Sequence, residues 1–228
     1  MTQHDIKQGT DDDVRRNLEV CARNIVRIVE AIPVKPVDDF VGVVIAKLSA
    51  YAINEIRGAA NFGSDIRLMA WRTRNIFETF LLMAYCNRSV EHAKEFAAQK
   101  IKDEAVMIMR FVGSAGNEHT NLIRERIGLA DEVLGKHGFP NRKDAFPWPL
   151  KDLAKFIGVQ EEYEAFYKPL SKYVHPSAWI TLSDPDESHA LNYWEMVKLK
   201  AQLYAHLCRG EALRLLEERG GTVEQETL

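Results

Sequence analysis

Two groups of side chains in this chain have the types and spacing for chemistry. Arg74 and Glu78 stand four residues apart in a stretch otherwise rich in apolar residues: Ile76, Phe77, Phe80, Leu81, Leu82 and Met83. On a helix that spacing puts the guanidinium and the carboxylate on the side that also carries Phe77 and Leu81, with Arg67 and Trp71 extending it. A helix apolar nearly all round is a buried one, and charges on it need partners. The pair therefore reads in two ways. It is a structural salt bridge near a bundle end, or an interior polar site in which Arg74 holds an anion and Glu78 fixes it.

The second group is a row. Tyr163, Tyr167, Ser171 and His175 recur every four residues and line one side of a helix. Pro169 removes a backbone donor, which predicts a bend or restart there, and Pro176 ends the helix just after His175. An imidazole at a helix C-terminus either caps the last carbonyls or serves as the group that gains and loses a proton near neutrality. In the second case Ser171 and Tyr167 can bind the same ligand or orient the ring. A Ser171 nucleophile is the weaker reading, because neither a third orienting group nor an oxyanion turn is evident.

Three motifs occur in order. They are W-R-x-R-x-x-x-E at Trp71–Glu78, L-A-x-x-x-G at Leu153–Gly158, and Y-x-x-x-Y-x-x-x-S-x-x-x-H-P ending at Pro176. Together they resemble a bacterial all-helical family of unknown function, similar in turn to the HEPN-type bundles that include ribonuclease toxins and phage-defence effectors. The resemblance covers about residues 64–178. It implies that Arg74, Glu78, Ser171 and His175 converge on one pocket, and that RNA or a nucleotide is the ligand. Active HEPN-type ribonucleases have an Arg, then four to six residues, then a His, which puts the Arg five to seven positions before the His. Here Leu170, Pro169 and Lys168 occupy those offsets from His175, so only Lys168 stands in. A lysine lacks the planar fork that grips phosphate in two places, so the departure argues against RNA cleavage and leaves phosphate binding open.

The elements that must position these residues read as helices throughout. Thr10 caps a first helix to about Ala31, with Val14, Leu18, Cys21, Ile25 and Ile28 as its apolar stripe and Asp11–Asp13 at its positive end. Asp38 or Asp39 caps a second helix to Gly58, with Phe40, Val43, Val44, Leu48, Tyr51 and Ile56 expected in the core. A third runs from Ser64-Asp65 to Asn87, a fourth from Ser89 to Val112, and a fifth from Asn117 to Gly135 or Gly138. Short helices follow over 150–157 and 160–174, then a long final one over 188–219, stopped by Gly220-Gly221. The expectation is one all-α domain over 1–228, an elaborated antiparallel bundle of seven or eight helices, with 1–10 and 220–228 frayed.

Composition bounds what such a bundle can do. The 228 residues hold 30 Lys+Arg against 33 Asp+Glu, a formal charge of −3, which argues against a general DNA binder. A locally basic stretch over 136–155 (Lys136, Arg142, Lys143, Lys151, Lys155) carries Phe146 and Trp148, a combination suited to stacking bases, although such a loop more often packs back onto its bundle. The sequence contains no G-x-S-x-G elbow, P-loop, H-E-x-x-H or di-iron pattern, so no metal or cofactor is expected. Cys21, Cys86 and Cys208 lack disulfide spacing and read as reduced thiols. With no signal peptide or apolar stretch of membrane-spanning length, the chain is expected in the cytoplasm, away from membranes. A non-catalytic interaction module, homodimeric through helix faces, is the competing reading.

Overall fold

A computed structural model describes residues 9–33, 39–61, 65–112, 149–174 and 187–227, with isolated positions between them; side chains of 101–112 are described only at Asp103 and Met107, and those of 187–192 not at all. Among the described residues every regular element is a helix: α1 (Asp11–Ala31), α2 (Phe40–Ala60), α3 (Ile66–Cys86), α4 (Val90–Val112), α5 (Leu150–Ile157), α6 (Gln160–Glu162), a π-helical turn (Tyr163–Tyr167), α7 (Lys168–Val174) and α8 (Glu187–Glu218). The fifth helix expected from Asn117 falls largely outside the described residues. Its neighbouring loop with Arg142, Lys143, Phe146 and Trp148 falls outside them altogether, as do His175 and Pro176.

The helix starts follow local hydrogen-bond chemistry. Thr10 and Asp13 form a reciprocal capping box, in which the Asp13 amide donates to the Thr10 hydroxyl and the Thr10 amide donates to the Asp13 carboxylate at 2.9 Å. Asp39 accepts from the Gly42 amide, Asp65 from the amides of Arg67 and Leu68, and Ser89 from that of His92.

The core lies among α1, α2, α3 and α8. Leu18, Ile25, Ile28, Ile45, Ile56, Ile76, Phe77, Leu81 and Tyr204 are its largest enclosed side chains. Helices α1 to α3 run antiparallel, as Glu19–Arg57 and Glu55–Arg72 register them. Helix α8 runs in the same sense as α1: Asp11 meets Lys198, and Asn17 meets Gln202 and His206. Helix α3 is central, packing against α2 and α8 and receiving α4, α5 and α7 on its remaining sides. Its expected all-round burial follows from that position. On α8 Val197, Ala201, Tyr204, Cys208, Ala212 and Leu215 are buried against this core, and Trp194 is half-buried.

Two expectations are corrected. Val43 and Tyr51 are not core; both are about half exposed, because the side of α2 that carries them faces an open groove. Pro169 falls where its helix changes register: the π turn ends at Tyr167 and α7 starts at Lys168, whose amide donates to the Tyr163 carbonyl, and the widened turn relieves the clash of the proline ring with the turn before it. The tail after Gly220 does not fray. Gly220 is left-handed (φ 71°), a conformation suited to glycine, and the Gly221 amide returns to the Leu216 carbonyl at 3.0 Å. The chain then folds back, with Val223 against the core and Glu226 on α1.

The end of α8 is pinned at the same end of the molecule. Arg219 makes a bidentate pair with Asp39 at 2.5 and 2.6 Å and donates to the Pro33 carbonyl at 2.9 Å.

Candidate functional site

The four-residue spacing on α3 does bring Arg74 and Glu78 together, and one of the row residues joins them. Arg74 Nε donates to Glu78 Oε1 at 3.0 Å and to the Tyr167 hydroxyl oxygen at 2.8 Å, while the Tyr167 hydroxyl donates to the same Glu78 oxygen at 2.5 Å. The guanidinium carbon lies 5.0 Å from the centre of the Tyr167 ring, within cation–π range. Tyr167 is buried, and its ring also packs against Phe77 at 5.8 Å. The π turn supports this placement, stacking Tyr163 on Tyr167 at 4.9 Å.

The electrostatics fix the protons. Burial and then the Glu78 carboxylate push the Tyr167 phenol well above its ordinary value, so it remains a donor. Burial works against the Arg74 charge, but the Tyr167 oxygen and the Glu78 carboxylate outweigh it and hold the guanidinium above its usual range. The triad is therefore Arg⁺, carboxylate and neutral phenol, with no net charge.

Of the other row residues, Tyr163 reaches the triad only by stacking on Tyr167, Ser171 makes no bond to it, and His175 lies outside the described residues. The Ser171 hydroxyl donates to the Tyr167 backbone carbonyl at 3.0 Å, one turn back on its own helix, which commits its proton away from any nucleophilic role. Lys168 is exposed and hydrogen-bonded to Glu164, which also faces Lys151 at 3.5 Å; it makes no bond to Arg74, Glu78 or Tyr167. The basic stretch is partly neutralised in the same way, with Lys136 on Glu132 at 2.7 Å.

A second charged cluster, not anticipated from the sequence, lies on the opposite flank of α3. Glu55 of α2 is only 5% exposed. Its two oxygens accept from Arg72 Nη1 at 2.8 Å and from Asn75 Nδ2 at 3.0 Å. Arg72 reaches it by lying across Gly58, where a Cβ would stand 2.7 Å from Nε, so α2 carries a glycine where the guanidinium passes. The signal was a lone carboxylate between Ile53 and Ile56 on an apolar helix.

Between α2, α3 and α4 lies an open groove of about 730 Å³. Val43, Leu48 and Tyr51 form one wall, and Phe96, Ala97 and Met107 the other. Asn75, Glu78 and Thr79 form the α3 face between them, with Lys47, Lys100 and Asp103 completing the lining. Glu78 thus belongs to both the triad and the groove. Its side chain is 28% exposed, and its Oε2 meets no donor among the described residues. One N–H of the Asn75 amide goes to Glu55, and the Thr79 hydroxyl donates to the Asn75 backbone carbonyl at 2.7 Å. The α3 face therefore presents the Glu78 carboxylate as its charged acceptor, beside an Asn75 amide that keeps a second N–H. Burial raises the Tyr51 phenol, with Glu55 and Glu78 adding to the rise, so Tyr51 senses both carboxylates from the α2 wall.

Among the described residues no three His, Cys, Asp or Glu side chains gather as a metal site, and no helix is long and apolar enough to cross a membrane. The three thiols are buried and none is in a disulfide; burial, with Glu95 nearby, pushes Cys86 up to about 12.

No curated protein and no solved structure matches the chain. A family model does, over residues 68–189, a span that runs from the start of α3 into α8 and takes in Arg74, Glu78, Tyr167, Lys168, Ser171 and His175 but not the α2 wall of the groove. That span is more than half of the chain, and the chain belongs to the family of unknown function DUF5677.

Proposed function

We propose that the protein binds a nucleotide, free or at the end of an RNA, in the groove between α2, α3 and α4, without turnover. The observation that carries this reading is the position of Glu78, which lines the groove while Arg74 and Tyr167 hold its Oε1 and its Oε2 meets no donor among the described residues. A carboxylate held in this way accepts from a ligand N–H and repels an anion. A free phosphate is thus disfavoured on the α3 face, where Arg74 is already neutralised. A purine fits better: its ring fills an apolar slot beside Tyr51, its N–H edge meets Glu78 and the Asn75 carbonyl, and its phosphate reaches Lys47. That lysine is exposed and makes no ion pair among the described residues. Guanine, with two adjacent donors, is the base this face suits best.

Calorimetry with guanosine monophosphate, adenosine monophosphate and inorganic phosphate tests the reading. The expected order is guanosine above adenosine, no binding by phosphate alone, and at least a tenfold loss for guanosine in Glu78→Gln. Equal binding by wild type and Glu78→Gln, or no binding by either nucleotide, would overturn it. The argument against turnover is Ser171, whose proton is held by its own helix.

A further inference from the structure

Two exposed cations flank Glu78 along the axis of the groove, one to each side. Most of the arginine charge on α3 is spent within the fold: Arg74 pairs with Glu78 at 3.0 Å and Arg72 with Glu55 at 2.8 Å. Lys47 on α2 and Arg67 in the first turn of α3 are exposed, and neither makes an ion pair among the described residues. The antiparallel register places them. Glu55 of α2 meets Arg72 and Asn75 of α3. Lys47 comes eight positions earlier on α2, about 12 Å from that level, and so stands past Glu78 toward Leu82. Arg67 lies to the other side, eleven positions before Glu78, or about 16 Å along α3. A mononucleotide whose base meets Glu78 and whose phosphate meets Lys47 leaves Arg67 out of reach.

Trp71 stands between Glu78 and Arg67. At 100° per residue the three fall within about 40° of one another, on one side of α3. Trp71 is 41% exposed, and every other large apolar side chain of α3 is buried or half-buried. Its one ring contact among the described residues is with Arg72, whose guanidinium carbon lies 4.7 Å from the ring centre. Arg72 is itself held by Glu55, so the indole is backed by a fixed cation. Tyr51, the groove's exposed aromatic, belongs to the same end. Burial raises its phenol, Glu55 and Glu78 add to the rise and Arg72 opposes it, so the ring lies among all three. The groove therefore continues past Tyr51 to a second exposed aromatic ring and then to an unpaired guanidinium.

We propose that the ligand is the 5′-phosphorylated guanosine end of an RNA strand rather than a free nucleotide, with Trp71 stacking the second base and Arg67 pairing with the phosphate beyond it. The proposal rests on the reading of Glu78 as the guanine acceptor. With the base edge at Glu78 and the 5′-phosphate on Lys47, the strand leaves through its 3′-oxygen, toward Tyr51 and Trp71. Seven positions, about 10 Å of helix axis, separate Glu78 from Trp71, a gap that a second nucleotide spans. Arg72 covers one indole face and the second base stacks on the other. Helical side chains lean toward the N-terminus, so Arg67 reaches the phosphate that follows the stacked base. Aromatic stacking with a cation for the backbone is how single strands are held without regard to sequence, so only the first base is read.

Calorimetry on the full-length chain with the ribonucleotides pG, pGpA and pGpAp, the last phosphorylated at both ends, tests this. The dinucleotide pGpA should bind about tenfold more tightly than pG, the gain from one stacked base, and pGpU should match it. The terminal 3′-phosphate of pGpAp should add about threefold. Trp71→Ala should abolish the difference between pGpA and pG. Trp71→Phe should keep part of it, a rescue that a merely structural role for the indole would not give. Arg67→Ala should cancel the threefold step and retain the tenfold one. Equal affinities for pG and pGpA, a difference that survives Trp71→Ala, or a 3′-phosphate step that survives Arg67→Ala would overturn the second subsite while the guanine reading of Glu78 stands. Absence of binding by pG and pGpA alike would overturn both.

Discussion

Helix α3 carries two carboxylate–arginine clusters that differ in one respect. At Glu55 both oxygens are taken, by Arg72 and Asn75, and the group is sealed between α2 and α3. At Glu78 both donors, Arg74 and Tyr167, converge on a single oxygen, the other meets no donor among the described residues, and the residue lines a groove. The two carboxylates are of one chemical type, 23 positions apart in sequence, yet one is closed and the other is open. A closed cluster has spent its hydrogen-bonding capacity on the fold. An open one retains capacity for something else, and that asymmetry, rather than charge as such, marks the candidate site.

The largest expected effect lies on the closed side. Glu55→Ala leaves Arg72 without its carboxylate at a position only partly reached by water, and should cost about 3 kcal/mol in urea unfolding. A loss below about 1 kcal/mol would erase the distinction between the clusters. Tyr167→Phe removes one donor to Glu78 and one acceptor for Arg74 while keeping the ring. It should cost about 1 kcal/mol in the same measurement and leave the Arg74–Glu78 pair intact. Glu78→Gln should change stability least of the three, by less than about 1 kcal/mol, because the pair it breaks is partly solvated. If its cost equals that of Glu55→Ala, Glu78 is as structural as its counterpart and the groove loses its acceptor role.

A smaller effect concerns pH. The Arg23 hydrogen bonds hold the Glu226 carboxyl below its ordinary value of 4.5, with Arg23, Arg27 and Arg16 adding charge. A depressed folded-state value contributes stability above the unfolded value and loses it as pH falls through the folded one. Tail docking should therefore be complete at neutral pH and weaken below about pH 4.5. Proteolysis or hydrogen exchange at 222–227 would follow it, and exchange at Glu226 unchanged down to pH 3 would break the assignment.

Much of the frame was legible in the sequence, and the reasons are local. The Thr10 capping box, the Asp39 and Asp65 caps and the Gly220 stop are short-range hydrogen-bond chemistry, so they can be read along the chain. The Arg74–Glu78 contact was legible for the same reason, being one turn long. Contacts across the bundle were not. That Tyr167 meets Arg74, or that Glu55 takes Arg72, depends on how two helices are rotated against each other, which periodicity leaves undetermined. Val43 and Tyr51 were misread because an apolar groove wall has the same spacing as a core stripe. Lys168 was singled out by its offset from His175, yet as the residue after Tyr167 on a helix it points about 100° away from it, here toward Glu164.

The Arg219–Asp39 fork has a consequence for how the chain reaches and leaves its folded state. It joins residues 180 positions apart. Closing so long a loop carries an entropic cost that only the later stages of folding can repay, after α1 to α3 have formed their local hairpins. A contact made on the far side of the barrier acts as a latch: its loss leaves the rate of folding nearly unchanged and quickens unfolding. Stopped-flow measurements on Arg219→Ala should show unfolding faster by about tenfold for each 1.4 kcal/mol lost, with the refolding arm superimposed on that of wild type. The lifetime of the native protein would then be set at the end of the bundle where α8, α1 and α2 meet, one turn of α2 before Val43 of the groove wall.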